Sequence, residues 1–486
     1  MRIKPFLVLL LISSLFILSC SKNKHEKFGK DLASAFKSKK YVDFDTVAYY
    51  QVFKQEMVKL KPKLHDPKWI NKIYDADEKG LTLMGLFLVN GQLDTLSQYL
   101  LNAEFHGLDP NYFHAQEIVA LLDQIKQTQF KKVEESYPLL AQLELLSADG
   151  LINYANILKY GAVNPKTIFS TYYVSIKRPA IIDAQRTLEQ LNLVKFLSDL
   201  QPVNGFYQRL MNLLINDKAN ETSKLSADDR EKIYLSLERL RWPVQEYKGK
   251  YLLVNIPEYS LRLINDNTSI FQMKVCVGEV GHETPILSGT VDRMQVNPVW
   301  NIPESIANNE ILDRLRSDVS YLEGNNMVAY KGGALVDPES VDWNSAQAGE
   351  YSFKQNPGAD NSLGQIKFIF KNPFAIYLHD TPAQAMFQQS MRAVSHGCIR
   401  VQEPMKLASF LVESESETNK IIKETEAASA GGVAESRWVK VKNPVPVFIS
   451  YYTAWTDDAG NLISSKDVYG YDKMLIAKFR GYMATL

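Results

Sequence analysis

One cysteine and one histidine in the C-terminal part of the chain have the types and the order for nucleophilic catalysis. Cys398 lies in the segment Ser-His-Gly-Cys-Ile-Arg-Val at 395–401, and His379 precedes it in Tyr-Leu-His-Asp-Thr at 377–381. Cysteine attacks as the thiolate, so it needs a base or a positive field beside it. The two segments therefore predict a nucleophile, Cys398, whose proton is taken by His379 and later returned to a leaving amine.

The residues next to this pair have types that would support acyl transfer. Gly397 permits a tight backbone turn directly before the thiol, so amide N–H groups can point at a developing oxyanion. Asp380, through its backbone carbonyl or its side chain, is the acceptor nearest in sequence that would fix the histidine tautomer. Arg400 offers a cation for a substrate carboxylate. His396 would polarise the site or hold its loop, and we assign it a supporting role.

Three other interpretations compete with this one. Considered alone, Cys398 could be a buried apolar side chain and His379 a buried polar side chain with its hydrogen bonds made. The Ser-His-Gly directly before the thiol favours catalytic roles for both. A zinc site formed by His379, His396 and Cys398 is disfavoured because structural zinc normally takes four ligands and no second cysteine pair is present. A papain-like protease is disfavoured because the histidine precedes the cysteine in the chain.

The first twenty residues predict an export signal rather than a part of the fold. Arg2 and Lys4 precede an apolar run at 6–18, which is shorter than the roughly 20 residues that a membrane-spanning helix needs. The residues just before Cys20 resemble a bacterial lipobox, which predicts that Cys20 is lipidated and tethers the mature chain to a membrane face. A plain signal peptide or an anchor helix is the alternative.

Charge and cysteine content narrow the class of protein. The chain has 55 basic and 55 acidic side chains, so no global field favours nucleic acid. Its three cysteines, Cys20, Cys276 and Cys398, are fewer than an exported protein held together by disulfides would usually carry. Cys276 and Cys398 could pair, but Cys276 lies in a β-like stretch where cysteine behaves as a small core residue. We expect a buried, inert thiol there and a free, reactive one at Cys398.

The N-terminal half has a helical pattern. Apolar residues recur at helical spacing from about 30 to 245, and Ser-Ala-Asp-Asp at 226–229 predicts the start of the last helix. His65, His106 and His114 fall in this half without a shared metal-ligand spacing. We therefore predict separate packing or surface histidines.

Beyond residue 247 β-like segments replace the helical pattern. Strands are predicted at 251–256, 259–263, 270–277, 291–296, 366–370, 375–378 and 445–452. Residues 304–316 look helical, whereas 337–364 is rich in Gly, Asn, Asp and Ser and is predicted to be a loop or lid. The acidic stretch at 413–432 is predicted to be an exposed insertion.

These segments resemble the signature of the L,D-transpeptidases of the bacterial cell wall, a histidine followed after a gap by Ser/His-Gly-Cys-x-Arg. The resemblance covers about 250–452 and includes Asn-Pro-Val-Trp-Asn-Ile-Pro at 297–303, Leu-Gly-Gln-Ile-Lys-Phe at 363–368 and His-Asp-Thr-Pro at 379–382. The helical half resembles the scaffold domain of the large periplasmic members at 105–110, 158–161 and 235–242.

The resemblance implies an α+β multidomain fold. A lipoprotein signal peptide at 1–20 would precede an α-helical scaffold domain at 21–245. A mostly β catalytic domain at 246–452, with a helical or loop lid at about 304–350, would follow. The last residues, 453–486, would form a C-terminal extension.

The resemblance also implies a cysteine acyltransferase of peptidoglycan biosynthesis. Cys398 would attack the bond to D-Ala in a tetrapeptide stem, hold the stem as a thioester and pass it to an amine of a neighbouring stem, giving a 3-to-3 cross-link. His379 would be the base and the carbonyl after it the orienting group. By the same resemblance the substrate-binding residues would be Tyr377, Ser395, Arg400 and, in the lid, Trp300. The reaction needs no metal or cofactor.

The chain departs from the large members in one respect, because it has no room for the small peptidoglycan-binding module inserted in their scaffold. Wall affinity would then depend on the catalytic cleft, the scaffold and a lipid anchor, with the outer membrane as the favoured location. A hydrolase on the same site is an alternative, since the motif does not separate an amine from water as acceptor. A non-catalytic wall-binding lipoprotein is disfavoured because both nucleophile and base are present.

Overall fold

The computed structural model describes residues 27–77, 80–219, 225–243, 249–266, 268–432 and 434–486. Cys20 and the rest of the predicted signal lie outside these residues. Within them, no helix is both long enough and apolar enough to cross a membrane. The described residues form two compact units, a helical one from the described parts of 27–164, 176–243 and 475–486, and a β-rich one from those of 165–175 and 249–474.

The helical unit confirms the helical pattern of the N-terminal half. Its helices are α1 at 27–35, α2 Thr46–Leu60, α3 Pro67–Asp77, α4 Met84–Phe87, α5 Gln92–Leu101, α6 Ala115–Gln127, α7 Tyr137–Tyr160, α8 Ile181–Leu188, α9 Leu193–Asp199, α10 Gly205–Ala219 and α11 Ala227–Arg241. Helix α7 is buried on nearly all sides, as expected of a helix that the others surround. The predicted start of α11 is correct, because the Ser226 hydroxyl accepts the Asp229 N–H at 3.0 Å.

A fully buried polar cluster lies at the end of α11. The Arg241 guanidinium donates to the Glu238 carboxylate at 2.9 Å and to the Tyr207 hydroxyl at 2.8 Å. The Glu238 carboxylate also accepts the indole N–H of Trp242 at 2.8 Å. His106 Nδ1 forms a hydrogen bond with the Tyr207 hydroxyl at 3.0 Å. Burial, and to a lesser extent the charge of Arg241, lowers the pKa of His106 to about 3. His106 is therefore a neutral packing residue, as predicted.

The prediction of separate histidines is wrong for His65 and His114. Both rings contact one carboxylate oxygen, Oδ2 of Asp149, at 2.7 Å from Nδ1 of His65 and 2.9 Å from Nε2 of His114. The three residues come from the turn after α2, the start of α6 and the middle of α7. Nothing in the sequence indicated this contact, because the three residues are far apart in the chain and meet only when the helices pack.

The β-rich unit is built on a nine-stranded sheet. Its strands are β1 Lys250–Asn255, β2 Ser260–Asn265, β3 Thr268–Gly278, β4 Leu287–Val296, β5 Trp300–Asn301, β6 Met327–Lys331, β7 Ala334–Val336, β8 Tyr351–Gln355, β9 Ile366–Phe370, β10 Leu378–His379, β11 Ala393–Ser395, β12 Ile399–Val401, β13 Arg437–Ser450, β14 Ala454–Thr456 and β15 Leu462–Ser464. The order in the large sheet is β11-β3-β12-β10-β9-β4-β13-β1-β2, and β2 also pairs with β3. Because β2 pairs with β3 as well as with β1, the strands from β3 round to β2 form a closed sheet.

A lid with its own core interrupts the sheet between β4 and β9. It contains the four-stranded sheet β5-β8-β6-β7 and the helices α12 Glu304–Ile306, α13 Leu312–Ser317 and α14 Tyr321–Gly324. The helix predicted at 304–316 is therefore confirmed, with a π-helical turn at Ala307–Ile311. The segment 337–364, predicted to be a loop or lid, lies in the lid. It is not all loop, because it contains β8, whose Phe353 is buried in the lid core with Trp343.

The acidic stretch near residue 420 is not an exposed insertion. After α15 Pro404–Val412 it forms a second helix, α16 Glu415–Ser429, which buries Ile421 and Ala428. Arg437 of β13 binds Glu417 and Glu424 of this helix, each at 2.7 Å. The acidic residues thus hold α16 on the sheet. A last helix, α17, covers Tyr471–Phe479.

The buried ion pair of the helical unit gives a stability prediction. Arg241→Met is expected to lower the free energy of unfolding by about 3–5 kcal/mol, because Glu238 then stays buried without its cation. Chemical denaturation followed by far-ultraviolet circular dichroism measures the loss. Lys195→Met is the control, since it removes an exposed pair with Asp199 that contributes at most about 1 kcal/mol. Equal losses in the two variants would contradict the prediction.

Candidate active site

Strand register places the predicted base and two cationic residues on one face of the sheet. β10 runs parallel to β12 with His379 opposite Arg400, and antiparallel to β9 with His379 opposite Lys367. Because successive side chains of a strand point to opposite faces, His379, Arg400 and Lys367 share a face. The alternate residues Phe368, Leu378 and Ile399 are fully buried. They form the core beneath the site.

The same register brings Tyr377 beside the Cys398 thiol. The Ile399 N–H donates to the Tyr377 carbonyl at 3.1 Å, so the residues before each strand are also neighbours. Both the backbone N–H and the hydroxyl of Tyr377 hydrogen-bond the thiol, and the Trp300 indole N–H reaches the same hydroxyl. The thiol Sγ is also 3.8 Å from the Ala375 carbonyl oxygen. Tyr377, Trp300 and Cys398, three residues of the predicted site, thus lie together.

The His379 ring is held by a backbone carbonyl. Its Nδ1–H donates to the Asp380 carbonyl oxygen at 2.5 Å, so the proton-accepting nitrogen is Nε2. The Asp380 carboxylate accepts instead the Gln365 N–H at 2.9 Å. Gly364 lies against that carboxylate with φ +62°, and a Cβ there would be 2.4 Å from it. Of the two orienting groups predicted at Asp380, the backbone carbonyl is therefore the one that contacts the ring.

The imidazole lies in β10 and the thiol directly before the neighbouring strand β12, and the two side chains do not hydrogen-bond each other. Among the hydrogen bonds of the described residues, those of the Cys398 side chain go to Tyr377 and Ala375. The His379 ring donates from Nδ1 to the Asp380 carbonyl. Proton transfer from Sγ to Nε2 therefore requires a rotation of the thiol away from Tyr377, or a bridging group. Catalytic hydrogen bonds of this kind commonly tighten only when substrate is bound.

Burial keeps both partners of the pair neutral. Burial raises the pKa of the Cys398 thiol, although Tyr377, Lys367 and Arg400 act in the opposite direction. Burial and then the charge of Arg400 lower the pKa of His379 to about 3, and Lys367 adds to this effect. The two cations favour a thiolate but oppose an imidazolium. The resting site is thus a neutral thiol beside a neutral imidazole.

Neither cation of the site has an acidic partner among the described residues. The Arg400 Nη1 contacts the Met386 sulfur at 3.4 Å, and its buried Nε has no hydrogen-bond partner. The Lys367 Nζ lies 3.7 Å from the centre of the Tyr377 ring. A cation without a counter-ion in a partly buried cleft favours an incoming carboxylate. The position of Arg400 thus fits the predicted carboxylate contact.

The loop that carries the nucleophile is held from beneath. Gly397 has φ +102°, a backbone conformation that favours glycine. Its carbonyl accepts the Thr284 hydroxyl at 2.8 Å, and that hydroxyl in turn accepts the Gly278 N–H at 2.8 Å. The buried Ser395 hydroxyl donates to the Cys398 carbonyl at 2.6 Å and accepts the Gly397 N–H at 3.2 Å. This geometry favours a positioning role for Ser395 over the predicted contact with substrate.

His396 connects the catalytic loop to the lid. Its exposed ring, through Nε2, lies 3.0 Å from Oε1 of Glu310 in the π-helical turn. Trp300 lies in β5 and packs against the lid core. The supporting role predicted for His396 is therefore a contact between loop and lid. The lid touches the site at two points, Trp300 above the tyrosine and Glu310 above the loop.

Four residues of the site had no predicted role. Lys367 lies in β9 opposite His379. In the sequence, only its position in the segment 363–368, which resembles the family, indicated that it could belong to the site. Thr284 and Tyr469 support the loop from distant parts of the chain, because the Tyr469 hydroxyl donates to the Gly278 carbonyl at 2.6 Å. Glu310 lies in the lid. Contacts between residues so far apart in sequence leave no local pattern.

The two units match known domains. Residues 249–446 match the L,D-transpeptidase catalytic domain, and residues 68–214 match the scaffold domain. A putative L,D-transpeptidase of Haemophilus influenzae is 31% identical over 318 residues, which are 63% of this chain and 62% of the relative. The matched part is thus less than two thirds of that relative's length.

Two solved structures are also similar to part of the chain. An L,D-transpeptidase from Mycobacterium smegmatis has 12% identity and a TM-score of 0.20, over 42% of this chain and 58% of its own. L,D-transpeptidase 1 of Mycobacterium tuberculosis has 11% identity and a TM-score of 0.16, over 42% of this chain and 61% of its own.

The sequence segments, the helical and β-rich units and the family matches agree with one another. The predicted fold class, an α-helical scaffold followed by a mostly β catalytic domain, is confirmed. Residues 249–446 are therefore similar to an L,D-transpeptidase catalytic domain, and residues 68–214, which precede them, are similar to a scaffold domain.

Proposed function

We propose that the protein is a peptidoglycan L,D-transpeptidase with Cys398 as its nucleophile. The proposal depends on the grouping of the thiol with an imidazole of fixed tautomer and with two cations, Arg400 and Lys367, that have no acidic partner among the described residues. An acyl donor that ends in a carboxylate would supply the missing counter-ion. A tetrapeptide stem, which ends in the carboxylate of D-Ala, has this chemistry.

In the acylation step Sγ would bond to the carbonyl carbon that precedes D-Ala. The thiol proton passes to Nε2 of His379 as the sulfur attacks, since a free thiolate–imidazolium pair is disfavoured in the buried site. The carbon–nitrogen bond then breaks, and the D-Ala nitrogen leaves with the proton returned by His379. No hydrogen bond between described residues uses the Cys398 N–H, which is available to the oxyanion. The product is a thioester on Cys398.

In the second step an amine from a neighbouring stem would attack the thioester. His379 removes a proton from the amine, and the sulfur leaves as the thiol when that proton is transferred to it. The acceptor would enter beside the lid residues Glu310 and Trp300, which contact His396 and Tyr377. The exported, lipid-anchored location suggested by residues 1–20 would place the enzyme beside its substrate, and we include it in the proposal.

The proposal predicts which products the purified protein forms from tetrapeptide muropeptides. Mass spectrometry is expected to show cross-linked dimers with release of D-Ala, and Cys398→Ala is expected to form none. Cys276→Ala, the same change at the buried cysteine, should still form dimers. Tripeptide monomers without dimers would mean that water resolves the thioester and the enzyme is a hydrolase. Products from Cys398→Ala would remove this site from the reaction.

The neutral resting state predicts a slow reaction of the thiol with small electrophiles. Because the pKa of Cys398 is raised and the thiolate is the reactive form, alkylation by iodoacetamide at pH 7 should be slower than for free cysteine. The rate should climb as the pH rises above 9. His379, with a pKa of about 3, should add no inflection between pH 5 and 9. Intact-mass spectra over time measure this, and an inflection near pH 6–7 would reveal a preformed ion pair instead.

Removal of one cation is expected to weaken the nucleophile further. Lys367→Met should raise the pKa of the Cys398 thiol, and each unit of the increase slows alkylation about tenfold at a fixed pH below the pKa. Lys354→Met is the matched control, because the Lys354 Nζ also lies over a tyrosine ring, Tyr330 at 4.7 Å, but in the lid. A pH profile of Lys367→Met that coincides with the control would show that Lys367 does not act on the thiol.

A further inference from the structure

Two histidines and an aspartate converge in the helical unit, far in sequence from the catalytic residues. His65 Nδ1, His114 Nε2 and Asp149 Oδ2 all lie within 4.8 Å of one another. His114 and Asp149 are almost fully buried, whereas the His65 side chain is 24% exposed. The proposed function uses none of them. We propose that these three side chains form a binding site for a divalent transition-metal ion of the zinc type.

The donor set has the chemistry of such a site. Neutral imidazole nitrogens and a carboxylate oxygen are the ligands of zinc and its neighbours in the first transition row. Zinc lies roughly 2.0–2.2 Å from such atoms, so tetrahedral ligands are about 3.4 Å apart. The Oδ2 atom is now 2.7 and 2.9 Å from the two nitrogens. Side-chain movements of less than an ångström would therefore admit the ion.

The surroundings of the cluster hold the ligands in place. The second carboxylate oxygen of Asp149 accepts the backbone N–H of His65 at 3.1 Å, so it stays aimed at the turn. His114 Nδ1 lies 3.9 Å from a carboxylate oxygen of Glu117, which is beyond hydrogen-bond distance. A movement of that exposed side chain would bring it to the ring, where outer carboxylates orient metal-bound histidines. His114 also has φ +58°, a conformation rare for a residue other than glycine, which persists only where the surroundings impose it.

The site would have three protein ligands and one open position. The exposed edge of the His65 ring is the side from which an ion and a water molecule can enter. Because the ligands come from three separate parts of the helical unit, the ion would link the turn after α2, the start of α6 and the middle of α7. Its expected effect is on the stability of this unit, since metal binding that requires the folded arrangement stabilises it.

Zinc binding is best measured on the full-length chain in a Cys398→Ala, His282→Gln background. The first change removes the catalytic thiol, and the second breaks the other possible group, the exposed Glu279, His282 and His396. After gel filtration with micromolar zinc we expect one zinc per chain by elemental analysis. Zinc at a hundred times its dissociation constant should raise the thermal midpoint of the helical signal by about 5 °C or more.

The decisive variant adds His65→Gln to that background. Glutamine can still donate a hydrogen bond to Asp149 but is a poor zinc ligand, so the midpoint in chelator should stay near that of the parent. The bound zinc and the zinc-dependent shift should both be lost. The proposal is overturned if the parent retains no zinc, which would make the cluster a hydrogen-bonded triad only. It is also overturned if His65→Gln retains as much zinc as the parent.

Discussion

The candidate site depends on the parallel pairing of two very short strands, β10 and β12. This pairing sets His379 opposite Arg400 and places the thiol next to Tyr377. A shift of one residue in the register would send either the imidazole or the guanidinium into the core, because side chains alternate between faces. The buried residues Leu378 and Ile399 oppose such a shift. The catalytic geometry is thus a consequence of apolar packing on the other side of the sheet.

The electrostatics of the site combine two opposed requirements. Arg400 and Lys367 favour negative charge on the sulfur, but the same charges and the same burial disfavour a proton on His379. Such a site holds little thiolate at rest. An anionic group that neutralised these cations would ease protonation of His379, but it would also remove the support that they give to the thiolate. The same two charges therefore act on the nucleophile and on its base with opposite effects on proton transfer.

The sequence predicted the parts of the site that are local. Ser395, His396, Gly397, Cys398 and Arg400 occupy one short segment, so their types and spacing carry the chemistry directly. Lys367 joins them only through the pairing of β9 with β10, and Thr284 only through the packing of a distant turn, neither of which has a local pattern. The same limit explains His65, His114 and Asp149. The loop expected at 337–364 and the insertion expected at 413–432 reflect polar composition, which hid the few apolar residues, such as Phe353 and Ile421, that bury one face of each.

The lid has a hydrophobic core of its own, separate from the layer beneath the catalytic strands. Its buried residues, among them Trp343 and Phe353, pack against each other, and its inner sheet begins with the strand that carries Trp300. A body with an independent interior is expected to keep its shape if it moves. In the proposed reaction, the position of this one piece, rather than the conformation of a flexible loop, would then limit the size of the incoming amine acceptor.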